Sequence, residues 1–251
     1  MARSQQDTPW YHRWFGSDYL LLYPHRSAQE ARQTASWLIE SLELKSPCRV
    51  LDLACGPGRH AVEFARRGFD TVGLDLSWHL LTAARRYDTS RVLKRIRGDM
   101  RFLPLCGGRF DLALSLFTSF GYFPTVAEDF RMLKEVHRIL RTGGLIVLDY
   151  LNATQVRRDI IPEEVINLGD IRVTVNRWVD EAENRVKKII KLCDAGQERE
   201  YLESVYLYGR KDLAALFDQL GLSLQAEYGN YQGAPYSESS PRLIMVGRKS
   251  A

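Results

Sequence analysis

Residues 50–60 read VLDLACGPGRH, and GLDLS follows at 73–77. The apolar run Arg49–Ala54 flows straight into Gly56-Pro57-Gly58, the pattern of a short strand that turns sharply into a helix. A strand ending in glycine lets the backbone approach a ligand closely, and it leaves the next helix's free N–H groups at the mouth of the sheet. Asp75 stands 19 residues after Gly56, at the tip of the following strand. A carboxylate there can accept bonds from both hydroxyls of a ribose. A Gly-x-Gly on its own is only a turn; with Asp75 in this place the pair predicts a nucleoside ligand.

Outward from this stretch the chain alternates. A helix with Ala61, Phe64 and Ala65 on one face stops at Gly68; Thr71–Leu76 is a second strand, and Ser77 caps a helix ending near Tyr87. Arg91–Ile96 is a third strand, leading to Gly98-Asp99. Phe110–Phe117 is a fourth, its unbroken apolar run typical of a strand covered on both faces. Val126, Phe130, Leu133, His137 and Leu140 mark a long helix that Gly143-Gly144 is expected to stop, before a fifth strand, Leu145–Tyr150. Upstream, residues 28–44 read as a helix and 1–27 as an aromatic strap or lid. Strands alternating with helices in this way predict an α/β fold with a parallel sheet covered by helices.

The pattern changes downstream. Ile171–Asp180, Arg185–Cys193 and Glu198–Tyr208 carry β-branched and aromatic residues between turn signals, and are read as an antiparallel β insertion. A helix at Lys211–Leu220 and strands at Leu222–Tyr228 and Leu243–Arg248 close the chain. The expected organisation is a lid at 1–27, a cofactor-binding core at 28–164, the insertion at 165–208 and a completing unit at 209–251.

Composition removes several function classes. In 251 residues, 45% hydrophobic and 26% charged residues exclude a disordered chain, and the net charge of +4 permits a polyanion partner without demanding one. No apolar run nears the ~18–20 residues of a membrane span, and MARSQQDTPW lacks a signal-peptide core. Cys48, Cys55, Cys106 and Cys193 form no CxxC pair and no zinc spacing, so free thiols in a reducing cytoplasm are expected. No metal is expected, and the nucleophile elbow and P-loop are both missing.

Gly56-x-Gly58-x-x-Ala61 also fits the dinucleotide fingerprint, which keeps an NAD-linked enzyme open. Three features oppose it. Asp52, inside the strand before the glycines, would repel a pyrophosphate but welcome an amino group. Asp99 falls at the end of the third strand, where it can bond the exocyclic amine of an adenine. No second strand–helix half follows the fifth strand to hold a nicotinamide mononucleotide.

Taken together, VLDLACGPG, GLDLS, GDM at 98–100, FDLALSLF and LRTGG followed by LIVLDY resemble the class I S-adenosylmethionine-dependent methyltransferases over roughly residues 48–151. The helix–strand–strand unit at 211–248 fits a Rossmann-like sheet that is mostly parallel and ends in a reversed last strand. FTSFGYF at 117–123, YLLLYPHR at 19–26 and the tail GNYQGAPYSESSPRLIMVGRK resemble a bacterial small-molecule subgroup, similar in part to amino-sugar N-methyltransferases.

The resemblance implies S-adenosylmethionine as cofactor and assigns residues to it. Ala54, Gly56 and Gly58 would line its methionine portion, Asp75 would hold the ribose, Asp99 with Met100 would frame the adenine, and Leu76 would also be among the cofactor-binding residues. Leu116 and Phe117 would lie by the sulfonium or the acceptor, and Arg26 and Tyr19 would meet the cofactor carboxylate from the lid. The amino-sugar enzymes carry a His where this chain has Tyr122.

The implied reaction is methyl transfer to a nitrogen or oxygen of a small molecule. A sulfonium methyl is already activated, so in-line transfer needs chiefly an acceptor brought to about 3 Å in the right orientation, with its proton removed before or during transfer. Tyr122, His25 and Tyr19 are the candidates for positioning or proton removal, though each is equally readable as a packed side chain. Tyr228, Tyr231 and Tyr236 are expected beside the acceptor. The basic run Arg85–Arg101 would suit RNA, but it is read as a solvated sheet edge, so a nucleic-acid partner is disfavoured. A small-molecule acceptor is the expected partner, no membrane is expected, and a homodimer is open. His137 is expected in the core, and His60, at a helix start where a cofactor contact is open, is not assigned to the site.

Overall fold

The computed structural model describes residues 8–23 and 27–250. Its main sheet has seven strands. β1 (Arg49–Leu53), β2 (Asp70–Asp75), β3 (Lys94–Arg97), β4 (Phe110–Ser115) and β5 (Leu140–Leu151) are mutually parallel; β10 (Leu222–Tyr228) and β11 (Arg242–Lys249) complete the order β10-β11-β5-β4-β1-β2-β3. β11 is antiparallel to both β5 and β10, the expected reversed last strand. The strand order reverses between β4 and β1, so the crevice at their carboxyl ends is where such sheets take ligands.

The middle strands are apolar because both faces are covered. Val50, Leu112, Leu114 and Val147 meet Ala35 and Leu38 of α3 (Ala28–Ser41) and Phe64 of α4 (Arg59–Arg66) on one side. On the other, Leu51, Leu53, Ala113, Ile146 and Leu148 meet Met132, Leu133 and Val136 of α6 (Val126–Ile139) and Phe217 of α8 (Arg210–Gln219). Side chains that start the helices take up free backbone donors: Ser27 accepts from Glu30 N, Thr125 from Glu128 N, and Ser77 from Leu80 N at the start of α5 (Trp78–Ala83).

Three local readings change. α6 ends at Ile139, and β5 begins at once, so Gly143-Gly144 lie inside the strand rather than ending the helix. The β4–β5 register shifts there, and a side chain on Gly144 would press on the carbonyls of Arg141 and Phe110. The third strand is only Lys94–Arg97 because Asp88 ties down the preceding turn, accepting from Val92 N and Leu93 N. β4 stops at Ser115 because the chain turns left-handed at Phe117.

A second sheet, antiparallel in the order β6-β7-β8-β9, comprises β6 (Glu163–Leu168), β7 (Ile171–Asp180), β8 (Arg185–Asp194) and β9 (Gln197–Tyr206). The sequence reading has no counterpart of β6, whose side chains are mostly exposed and show no clean alternation; the strand carries the antiparallel segment back to 163. Val173, Val175, Ile190 and Leu192 form this sheet's buried face, which packs on Trp14 and Leu22. Those two belong to α1 (Trp10–Trp14) and α2 (Ser17–Leu22), so the N-terminal aromatics sit between the second sheet and the core. α7 (Ala153–Asp159) joins the two sheets.

Candidate functional site

At the carboxyl ends of β1, β2 and β4 lies a cavity of about 660 Å³. The turn that makes its floor is wound left-handed at Ala54 (φ 50°), Gly56 (φ 57°) and Gly58 (φ 73°). Gly58 begins α4, and a Cβ there would meet Leu93 Cδ2 at 2.8 Å, so glycine is what lets the helix close on its neighbour. Gly58 therefore sits behind the wall, whereas Ala54 and Gly56 line it.

Asp75 braces this turn from the next strand. Its Oδ2 accepts from Gly56 N at 2.7 Å and its Oδ1 from Ser77 N at 2.7 Å. Burial pushes its carboxyl above the usual range, against the pull of these backbone donors. Leu76, Met100 and Leu116 form apolar wall, and Asp99 faces the cavity from beyond β3. Asp99 is gripped by Arg101, whose Nη2 lies 2.6 Å from Oδ2; burial raises its carboxyl but the guanidinium holds it below the ordinary value.

Asp52 is the unusual acid. It is 2% exposed, and its Oδ2 has no hydrogen-bond partner among the described residues. Burial lifts its carboxyl to about 7, with Arg59 opposing the shift and Asp75 adding to it. Arg59, itself buried, also lines the cavity; it pairs with Glu30 at 2.9 Å and lies 4.2 Å over the ring of Phe117. Sequence reading passed over Arg59. Its signal was a cation in the first turn of a helix, where the macrodipole disfavours one.

A second cavity, about 580 Å³, opens between α1–α2, α7 and the antiparallel sheet. Phe15, Tyr19, Tyr23, Phe117 and Tyr122 line both cavities and form the wall between them. Tyr122 packs edge-on against Trp10 at 4.9 Å and stacks on Phe15 at 5.8 Å. Its neighbours Gly121 and Phe123 give their carbonyls to the buried guanidinium of Arg185 from β8. The charged groups around the second cavity are paired: Lys188 with Glu203 (2.6 Å) and the Tyr23 hydroxyl (2.7 Å), Arg177 with Glu164 (2.6 Å), and Arg242 with Asp149 (2.7 Å).

Of the sequence candidates, Tyr19 and Tyr122 thus stand at the junction of the two cavities, while His25 and Arg26 lie outside the described residues. His60 lines the first cavity and stacks on Phe117 at 5.1 Å. Tyr228, Tyr231 and Tyr236 line neither cavity; Tyr231 stacks behind Phe117 at 5.3 Å and donates to Asp149, and Tyr236 donates to Asn152. His137 is half-buried on α6 rather than in the core. In the basic stretch, Lys94 pairs with Asp70, Arg95 and Arg97 cap the carbonyls of Leu81 and Leu76, and Arg101 binds Asp99 and Glu128. Among the described residues, no His/Cys/Asp/Glu cluster could hold a metal, and no helix is long and apolar enough to cross a membrane.

Residues 50–144 match the family model of a methyltransferase domain. The chain carries a methyltransferase domain that takes S-adenosylmethionine. It is 28% identical over 232 residues to a dTDP-3-amino-3,4,6-trideoxy-alpha-D-glucopyranose N,N-dimethyltransferase of Streptomyces venezuelae, covering 86% of this chain and 92% of that one. It is 30% identical over 132 residues to YqeM of Bacillus subtilis (strain 168), a match that spans about half of each protein (52%). Among solved structures, Streptomyces venezuelae DesVI superposes with a TM-score of 0.67 at 25% identity, covering 93% of this methyltransferase and 97% of that chain. The cofactor is S-adenosylmethionine, and the RNA and NAD alternatives are not favoured. The first cavity suits it: the glycine turn leaves open backbone, and Asp75, Arg59 and Asp52 all line it, Asp52 with an Oδ2 that has no partner among the described residues.

Proposed function

We propose that this methyltransferase N-methylates a small, hydroxylated amine of the amino-sugar kind, held in the second cavity. The observation that carries the reading is the wall of five aromatic residues common to both cavities. Among the described residues the two cavities meet at this wall, and aromatic faces favour a nitrogen that becomes cationic as it is methylated. The paired ions around the second cavity offer fixed donors and acceptors to hydroxyls while leaving no uncompensated charge among them. The Streptomyces venezuelae relative is named for an amino-sugar substrate, which supports the same class.

The chain's residues divide the work. Asp75 holds the ribose and keeps Gly56 in place; Asp52 and Arg59 present opposite charges to the amino and carboxylate ends of an amino acid. Leu76, Met100 and Leu116 supply apolar cover, and Asp99 faces the base. When bound, the cofactor supplies an electrophilic methyl group on a sulfonium. Tyr19 and Tyr122 orient the amine by accepting from its N–H, so that its lone pair faces the first cavity, and the ring wall excludes water from the path.

The test is transfer of a labelled methyl group to a panel of amino sugars, free and nucleotide-linked, alongside the matching 3-hydroxy sugars. Labelled amines with silent hydroxy analogues, and a fall in kcat/KM of about ten-fold or more in Tyr122→Phe, support the reading. Transfer only to hydroxyl or carboxyl groups overturns it.

A further inference from the structure

Among the described residues that line the second cavity, the cations are Arg177, Lys188 and Arg242, and the acids are Asp159, Glu164 and Glu203. Each cation is already engaged. Arg177 of β7 meets Glu164 of β6 at 2.6 Å. Lys188 of β8 lies between Glu203 (2.6 Å) and the Tyr23 hydroxyl (2.7 Å), and Glu203 is fixed in turn by the indole N–H of the buried Trp14 at 2.5 Å. Arg242 of β11 donates to Asp149, fully buried at the end of β5, at 2.7 Å, and to Thr118 Oγ1 at 2.8 Å. Asp159, the remaining acid, pairs at 2.7 Å with Arg158, which does not line the cavity.

This charge pattern disfavours an anion. A sugar carried on a nucleoside diphosphate brings a doubly charged group that must be matched by cations or donors when it leaves water. In this cavity any cation it approached would bring a carboxylate with it. Prising a pair apart would strand that carboxylate, in a wall where Glu203 is only 20% exposed and Asp149 is fully buried. An uncharged hydroxyl meets no such cost, since it can accept from the cation and donate to the carboxylate of the same pair.

The rest of the lining is largely apolar: Leu151, Val156, Ile160 and Ile161 around α7, and Val186 and Val205 on the antiparallel sheet. Ile161, in the link between α7 and β6, is 63% exposed although it lines the cavity, so apolar surface continues to the outside. At about 580 Å³ the cavity matches a drug-sized ligand, for which roughly 300–1,000 Å³ is usual, and exceeds what one sugar ring fills.

We propose that the acceptor is an amino sugar already joined to an uncharged, apolar body, as a glycoside, and not one still carried by a nucleoside diphosphate. The inference rests on the acceptor occupying the second cavity, and names the form of it that enters. It departs from the Streptomyces venezuelae relative, whose name specifies a dTDP-linked sugar. A place in a reaction sequence follows. A glycosyl transfer, which breaks the anomeric C–O bond to the diphosphate and forms one to the apolar body, must precede methylation.

The test sets two forms of one amino sugar side by side, its dTDP derivative and its phenyl glycoside, with labelled S-adenosylmethionine as donor. The wild type is expected to favour the glycoside in kcat/KM by about ten-fold or more, the scale of a charged group's bonds left unmade. Glu164→Gln releases Arg177, and Glu203→Gln releases Lys188 while keeping an oxygen for Trp14. Each is expected to move the ratio of the two kcat/KM values towards the dTDP form by about three-fold; loss of fold would lower both values alike. A wild type that favours the dTDP form or treats the two alike, or a ratio that neither variant moves, overturns the proposal. Label on the dTDP-linked amine alone sinks this inference and leaves the amine reading of the site standing. No label on either amine sinks that reading and this inference with it, so the two failures are distinguishable.

Discussion

At the scale of single residues, Asp52 makes the sharpest prediction. Its carboxyl is lifted to about 7 by burial, and one oxygen lacks a partner. A cationic amino group favours the ionised form, so binding must draw a proton off Asp52 whenever the pH lies below about 7. Affinity for S-adenosylmethionine is therefore expected to fall as pH drops through 7 towards 5, by up to about ten-fold per unit. Asp52→Asn removes that dependence and weakens binding at pH 8 by about ten-fold or more, the worth of one charge-assisted hydrogen bond. Calorimetry across pH 5–8 checks both; an Asn variant with an unchanged slope would assign the titration elsewhere. Asp52 and Asp75 were legible in the sequence because they bracket glycines at fixed spacing. Arg242 and Asp149 were not, because 93 residues separate them and only the antiparallel return of β11 beside β5 brings them together.

The loop from β4 to α6, which carries Tyr122, is held from three sides. Arg185 donates to the carbonyls of Gly121, Phe123 and Ser204; Tyr206 N donates to Gly121 O; and Asp129 of α6 accepts from Tyr208 at 2.9 Å. Gly121 has φ 79°, and a Cβ there would collide with the Tyr150 hydroxyl. Gly121→Ala is expected to cost about 2–4 kcal/mol in chemical denaturation, combining left-handed strain with overpacking. Asp129 adds a pH signature. Burial raises its carboxyl from 3.8 to about 7, against the hydrogen bonds from Tyr208 and Phe123. Between those values the folded protein holds a proton the unfolded chain has lost, so this group's contribution to stability declines as pH rises and levels off above about 7. The Tm of Asp129→Asn should accordingly gain on the wild type between pH 4 and 7; a constant gap would show that Asp129 is ionised throughout. Strands and helices of the core were legible from apolar runs and caps, as at Val50–Leu53 and Ser77. β6 was not, since a half-exposed edge strand with Glu163, Glu164 and Asn167 carries no period of its own.

Across the whole molecule, α1 and α2 are the bridge between the two sheets. Trp14, fully buried, packs on Val173, Val175, Ile190 and Leu192, and its indole N–H donates to Glu203 at 2.5 Å. Trp14→Ala is expected to cost about 3–5 kcal/mol. The loss should be local: amide exchange rises in residues 10–22 and 163–206 while β1, β2 and β4 stay protected, as mass spectrometry would read it. Exchange rising evenly through both sheets would show one cooperative unit instead. The N-terminal aromatics were visible in the sequence as a cluster, but the partner they cover was not, because no local pattern links Trp14 to a strand more than 150 residues away. The four strands β6–β9 form one unbroken run of chain, hairpin after hairpin, outside the seven-stranded sheet. Descendants of this protein can therefore lengthen, shorten or repaint those hairpins and acquire a new chemical clientele, while the half that holds the methyl donor is inherited untouched.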